Sequence, residues 1–160
     1  MNAREKSGFV FLDGENLPII GNDTILVIAH ADWKHSSFMT VDCENVHLKN
    51  YRILNGAGMG ILPMYTKNIY IDGLKMYYDE RSHGFISNEA DAIHAIACSG
   101  DFVLQNSVIE GMVDDALNIH GNFYQVVSCG ENKILARSAG SVCVDYKTFG
   151  VGDSIRIINF

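Results

Sequence analysis

The segment GMVDDALNIHG, residues 111–121, sets two adjacent aspartates, Asp114 and Asp115, at the mouth of an otherwise apolar strand. Neighbouring carboxylates repel, and each costs free energy if desolvated. Upstream, ADAIH carries Asp91 three residues before His94, and Asn118 and His120 follow the aspartate pair. Clustered carboxylates, without histidines at metal-ligand spacing, suit glycoside hydrolysis. One acid protonates the leaving oxygen while another carboxylate activates water or attacks carbon. Carboxylates that share a site titrate as a set, and their repulsion can keep one of them protonated for acid catalysis. An aspartate pair at a turn more often only accepts backbone N–H bonds. The chemical reading therefore depends on whether the fold brings a third carboxylate to the same place.

The elements that would do so are strands. Period-2 alternation dominates and long helical patterns are missing. TILVI (24–28), NVHLKN (45–50), NIYIDG (68–73) and DFVLQN (101–106) begin their apolar pattern at Ile25, Val46, Ile69 and Phe102. A second set begins at Met39, Ile61, Ile93 and Leu117. Self-similarity at 20–25 residues in strand-rich sequence predicts a solenoid. The leucine-rich consensus is absent, so a parallel β-helix of about four coils fits better. The third coil is the same unit with about ten residues inserted between Tyr77 and Ala90. Asn50, Gly73 and Asn106 fall in one column after the first strand, where residues tolerant of left-handed angles predict a repeated sharp turn.

This register turns Met39, Ile61, Ile93 and Leu117 inward. It aligns Phe38, Gly60, Ala92 and Ala116 outward, beside Thr40, Leu62, His94 and Asn118. The strand-entry column reads Ser37, Met59, Asp91, Asp115, with Ser36, Gly58, Ala90 and Asp114 beside it. Asp91 and Asp115 thus become neighbours on adjacent coils, and Asp114 adjoins them. Strict alternation would turn Asp91 and Asp115 inward, so a bend at the strand entry must break it. The expected result is a cleft floored by Gly58, Gly60, Ala90, Ala92 and Ala116, with the inserted loop 78–89 as one wall. His94, Asn118 and His120 share the face. Trp33 is a candidate sugar-stacking platform, equally well a packed loop residue.

After Gly121 the repeat stops, dividing the chain into coils over 1–121 and antiparallel hairpins over 122–160. FYQVVSC-GEN-KILARS reads as one hairpin, and SVCVDYKTFGVGDSIRIINF as a second strand pair around Gly-Val-Gly-Asp. This tail would pack on or cap the helix, or open a small barrel.

Composition narrows the partners. The chain carries 19 acidic and 12 basic residues, a formal charge of −7, which argues against nucleic acid or another polyanion. No apolar run reaches a membrane span, and the polar start MNAREKSGF has no leader core. The cysteines form no C-x-x-C pair, and Cys43 and Cys98 read as small buried thiols. No cofactor or metal is called for.

The stretches CENVHLKNYRILNGAGMGI, ADAIHAIACSG and VIEGMVDDALNIHG resemble glycoside hydrolase family 110, the exo-acting α-galactosidases. The resemblance is strongest over residues 43–127. It implies removal of terminal α-1,3-linked galactose with inversion and without a metal, on a right-handed parallel β-helix with β-barrel material. It also implies a periplasmic or extracellular setting. The family's acidic site falls on Asp91, Asp114 and Asp115. Asp114 or Asp115 is the expected base, with Asp91 part of the acid arrangement. His94, Asn118, His120 and, in the entry column, Met59 would contact sugar or orient the carboxylates. Family members are several times longer, and Glu89 stands where a small hydroxyl residue is expected. Two alternatives remain: a polygalacturonase-like β-helix hydrolase, whose polyanionic substrate suits this charge less well, and a non-catalytic module for glycan binding or for assembly through the open solenoid ends.

Overall fold

The structure is a computed structural model that describes residues 2–6, 9–13, 21–22, 35–79, 81, 85–138 and 150–159. Among these residues it is all-β, with three parallel sheets and no α-helix. Chain order gives β1 (Asn2–Lys6), β2 (Phe9–Asp13), β3 (Phe38–Val41), β4 (Glu44–Lys49), β5 (Arg52–Ile53), β6 (Ile61–Met64) and β7 (Lys67–Asp72). There follow β8 (Lys75–Met76), β9 (His94–Ile96), β10 (Ser99–Gln105), β11 (Val108–Ile109), β12 (Asn118–His120), β13 (Tyr124–Cys129) and β14 (Ile134–Ser138).

The sheets run in the orders β12-β9-β6-β3, β10-β7-β4 and β11-β8-β5. Each repeat therefore lends one strand to each sheet: β4, β5 and β6 form the second repeat, β7 to β9 the third and β10 to β12 the fourth. Val46, Ile69 and Phe102 pair in one ladder row, as the sequence spacing requires. Their expected partner Ile25 lies outside the described residues. The two-residue strands β5, β8 and β11 were not legible, because so short a segment has no period to detect.

Three columns of left-handed residues turn the chain between sheets. Asn50, Gly73 and Asn106 have φ of 52°, 74° and 51°, in line with the predicted turn. Asn45, Asn68 and Gly100 form a second column, and Asp42, Tyr65 and Ala97 a third. The last escaped notice because tyrosine and alanine seldom adopt these angles. Side-chain bonds tie neighbouring turns: Asn68 Nδ2 donates to Asn45 Oδ1 at 2.8 Å, and Asn106 Nδ2 to Asp72 Oδ1 at 2.8 Å. The insertion of the third repeat falls between Met76, which pairs with Ile53, and Asn88, which bridges Gly56.

The main core gathers Ile53, Ile61, Ile69, Ile71, Leu74, Met76, Ala92 and Ile93, with Phe38 packed against it. Burying one such aliphatic side chain stabilises by about 1.5–3 kcal/mol. Two expectations need correction. The partner of Ile61 is Phe38, not Met39, and Met39 is exposed. Both residues are apolar, so only the hydrogen-bond ladder fixes the register. Gly60 and Ala92 face the core rather than flooring a cleft: a Cβ on Gly60 would lie 2.4 Å from the Ala92 carbonyl oxygen and 2.4 Å from Met76 Cε. With Ala92 and Ile93 both in the core cluster, alternation breaks at the strand entry, and this is the bend that Asp91 requires.

Antiparallel pairs precede and follow the parallel strands in the chain. β1 pairs with β2, a hairpin that the repeat pattern did not suggest. β13 pairs with β14 as predicted, and every described residue of β14 is exposed. Of the second expected strand pair, the first strand (141–149) lies outside the described residues, and residues 154–159, expected as the second, form no strand. The Gly-Val-Gly-Asp turn is formed, with Gly150 N–H donating to Asp153 Oδ2 and Gly152 at φ 98°.

Candidate active site

The site forms at the entries of β9 and β12. Ala92 N–H donates to the Asp115 carbonyl and Gly60 N–H to the Asp91 carbonyl, which sets Met59, Asp91 and Asp115 in successive rows. One oxygen each of Asp91, Asp114 and Asp115 lies within 4.8 Å of the others. Carboxylates this close repel unless a proton, a donor or a cation lies among them.

Their surroundings differ. Asp91 is 4% exposed, whereas Asp114 and Asp115 are exposed. A buried carboxylate needs donors, and Asp91 has several. The Asp115 N–H donates to Asp91 Oδ1 at 3.1 Å and is shared with Asp114 Oδ1, also at 3.1 Å. Asn118 Nδ2 donates to Asp91 Oδ2 at 3.2 Å. His94 Nδ1 lies 2.5 Å from the same oxygen. That nitrogen has no aligned hydrogen-bond partner, so the contact is an ion-pair approach off the ring's N–H direction. On its far side, His94 Nε2 is 2.8 Å from His120 Nε2, and His120 Nδ1 is 2.8 Å from the Gly121 carbonyl oxygen.

Asp91, Asp114, Asp115, His94, Asn118 and His120 thus converge as the register predicted. His94 is buried, 6% exposed, and faces Asp91 and His120 rather than solvent. Met59 is also buried, in a second apolar cluster with Leu62, Ala90 and Ile96, and so packs in the interior rather than facing a sugar. Trp33 lies outside the described residues. Asn88 was missed. It is fully buried, and its Nδ2 donates to the carbonyls of Ala90 and Asp91 at 3.0 and 2.9 Å. It therefore shapes the turn that aims Asp91, and its place three residues before that aspartate was the available signal.

Cys43 and Cys98, expected as buried thiols, are half-buried. Cys98 ends the β9 turn and donates to the carbonyls of Pro63 and Ile96. Burial pushes its thiol above the ordinary value.

No family model matches the chain. Curated relatives do. Alpha-1,3-galactosidase B of Parabacteroides distasonis is 33% identical over 141 residues, covering 83% of this chain and 22% of that protein. Alpha-1,3-galactosidase A of Shewanella woodyi is 28% identical over 118 residues, 74% of this chain and 19% of that protein. Alpha-1,3-galactosidase B of Bacteroides fragilis is 34% identical over 108 residues, 63% and 18% respectively. The chain spans about a fifth of the length of the curated relatives it matches. The resemblance read from the motifs is borne out: over most of its own length this chain is similar to proteins named α-1,3-galactosidases.

Proposed function

We propose that this chain carries the catalytic carboxylates of a glycoside hydrolase that releases terminal α-1,3-linked galactose, and that its three parallel sheets wind as a right-handed parallel β-helix. The observation that supports this reading above others is the convergence of Asp91, Asp114 and Asp115 from two adjacent repeats, in a chain similar to α-1,3-galactosidases. The excess of acidic over basic residues favours a neutral sugar over the polyanionic substrate of a polygalacturonase-like enzyme.

Hydrogen bonding favours roles opposite to those expected from the motifs alone. The Asp91 carboxylate accepts from the Asp115 N–H and from Asn118 Nδ2 and lies against His94 Nδ1, donors that suit an acceptor. In this reading Asp91 is a base, with Asp115 beside it, and the exposed Asp114 is the acid. The acid gives its proton to the glycosidic oxygen as the bond to the anomeric carbon breaks. Water attacks that carbon from the opposite face and loses its proton to the base. An inverting pair stands about 6.5–9.5 Å apart to admit this water, so Asp114 must swing away from Asp91 when substrate enters, and its exposure leaves room for that. Inversion thus follows from the resemblance rather than from the present spacing.

The test is proton NMR of the products from an α-1,3-linked galactobioside. Inversion gives β-galactose first. Initial α-galactose would replace inversion by a double displacement. A folded chain that releases no galactose would instead favour a glycan-binding or assembly role.

A further inference from the structure

His94 and His120 stand between Asp91 and a backbone carbonyl, and their atoms leave few choices for the protons. The Gly121 oxygen only accepts, so His120 Nδ1, 2.8 Å away, carries hydrogen. A neutral His120 then has a bare Nε2, and His94 Nε2, 2.8 Å from it, must donate. His94 Nδ1 remains, 2.5 Å from Asp91 Oδ2. Two bare lone pairs at that distance would repel, so one of the two atoms carries a proton, although the contact lies off the ring's N–H direction. Asp91 already accepts from Asp115 N–H and Asn118 Nδ2, which leaves that proton on the ring.

We propose that His94 and His120 are positioning residues, a proton-ordered chain running Gly121 carbonyl, His120, His94, Asp91, in which His94 is the imidazolium counter-charge that holds Asp91 ionised and aimed. His94 is too deeply buried to read sugar. His120 fixes the His94 proton and couples the end of β12 to the carboxylate on the preceding repeat. A buried network of this kind is worth most when every member is satisfied. Here His120 is bonded through both nitrogens, and His94 is bonded through Nε2 and meets Asp91 at Nδ1 without an aligned hydrogen bond. The catalytic consequence rests on the glycosidase reading. The proton arrangement does not.

The experiment is long-range proton–nitrogen NMR on the whole chain labelled with ¹⁵N-histidine, which reports tautomers directly without turnover. In wild type, His120 should show a protonated Nδ1 and a bare Nε2, and His94 should be protonated at both nitrogens. In Asp91→Asn, His94 should lose the Nδ1 proton while His120 is unchanged. Should that variant fail to fold, His120→Phe gives a second readout: the His94 Nε2 proton, slow to exchange in wild type, becomes fast. Solvent-averaged tautomers at both rings, or a His94 indifferent to both substitutions, would overturn the proposal. On an α-galactoside, His120→Phe should lower kcat by about 10²-fold, the cost of small misplacements, with KM little changed. His120→Gln, whose Oε1 accepts the same bond, should recover most of it. Ordered tautomers with full kcat in His120→Phe would remove the catalytic role. Absent turnover in wild type with ordered tautomers would count against the glycosidase reading and leave the proton chain standing.

Discussion

The third and fourth repeats share one register and differ sharply in environment. Ile93 is fully buried while Leu117, its counterpart one repeat on, is 42% exposed; Ala95 is buried while Ile119 is 55% exposed. A repeat in a parallel stack owes its burial to the neighbours on both sides. β9 lies between β6 and β12, whereas β12 pairs with β9 alone among the described strands. The carboxylates follow the same rule. Asp91, on the inner repeat, is enclosed and held by donors, while Asp114 and Asp115, on the outer one, face solvent. The asymmetry that an acid and a base require arises here from position in the stack rather than from local sequence.

The largest effects should separate the two kinds of carboxylate. Asp91→Asn and Asp114→Asn should each slow α-galactoside hydrolysis by at least about 10²-fold, the lower end for general acid–base groups. Only Asp91→Asn should also lower stability, by about 1–3 kcal/mol, because it leaves a buried polar group imperfectly partnered. Urea melts followed by circular dichroism, run beside the kinetics, check both halves. Equal stability of the two variants would end the comparison.

Core truncation comes next. Ile93→Ala should cost about 2–5 kcal/mol, and Leu117→Ala only about 0.5 kcal/mol, as at surface sites. A Leu117→Ala cost matching that of Ile93→Ala would mean that the outer repeat is covered in solution, for instance by a second copy, and a concentration-dependent melting temperature would reveal it.

A smaller contrast lies in two glycines. Gly73 has φ 74° and a Cβ there would sit 2.7 Å from Asn50 Oδ1. Gly73→Ala should therefore cost about 1–2 kcal/mol of left-handed strain. At Gly121 an added Cβ meets nothing within 4 Å, so Gly121→Ala should be neutral or stabilise by up to about 1 kcal/mol. Thermal melts of both variants would show the order reversed if the turn column were not under this constraint.

The smallest effect concerns thiols. The folded state holds the Cys98 proton above the ordinary value of 9.0 because burial disfavours the thiolate. Its contribution to stability is thus present below that pH and lost as pH rises through the folded value. Iodoacetamide in mildly alkaline solution should modify the exposed Cys129 first and Cys98 only at higher pH. Matching rates, resolved by peptide mass spectrometry, would contradict the burial of Cys98.

The repeat spacing alone determined that Asp91 and Asp115 stand on neighbouring rows, because an inserted loop does not disturb a periodic apolar pattern on either side of it. It also marked the Asn50–Gly73–Asn106 turn, since those residue types betray left-handed angles. The first-repeat register was beyond it: Phe38 and Met39 are both apolar, and only the backbone ladder chooses between them. So was the direction of Gly60 and Ala92, set by the bend rather than by alternation. Above all, nothing local distinguishes Asp91 from Asp115 as carboxylates. Their burial, their donors and the proton shared through His94 and His120 exist only once the repeats are stacked, because each repeat supplies the other's surroundings.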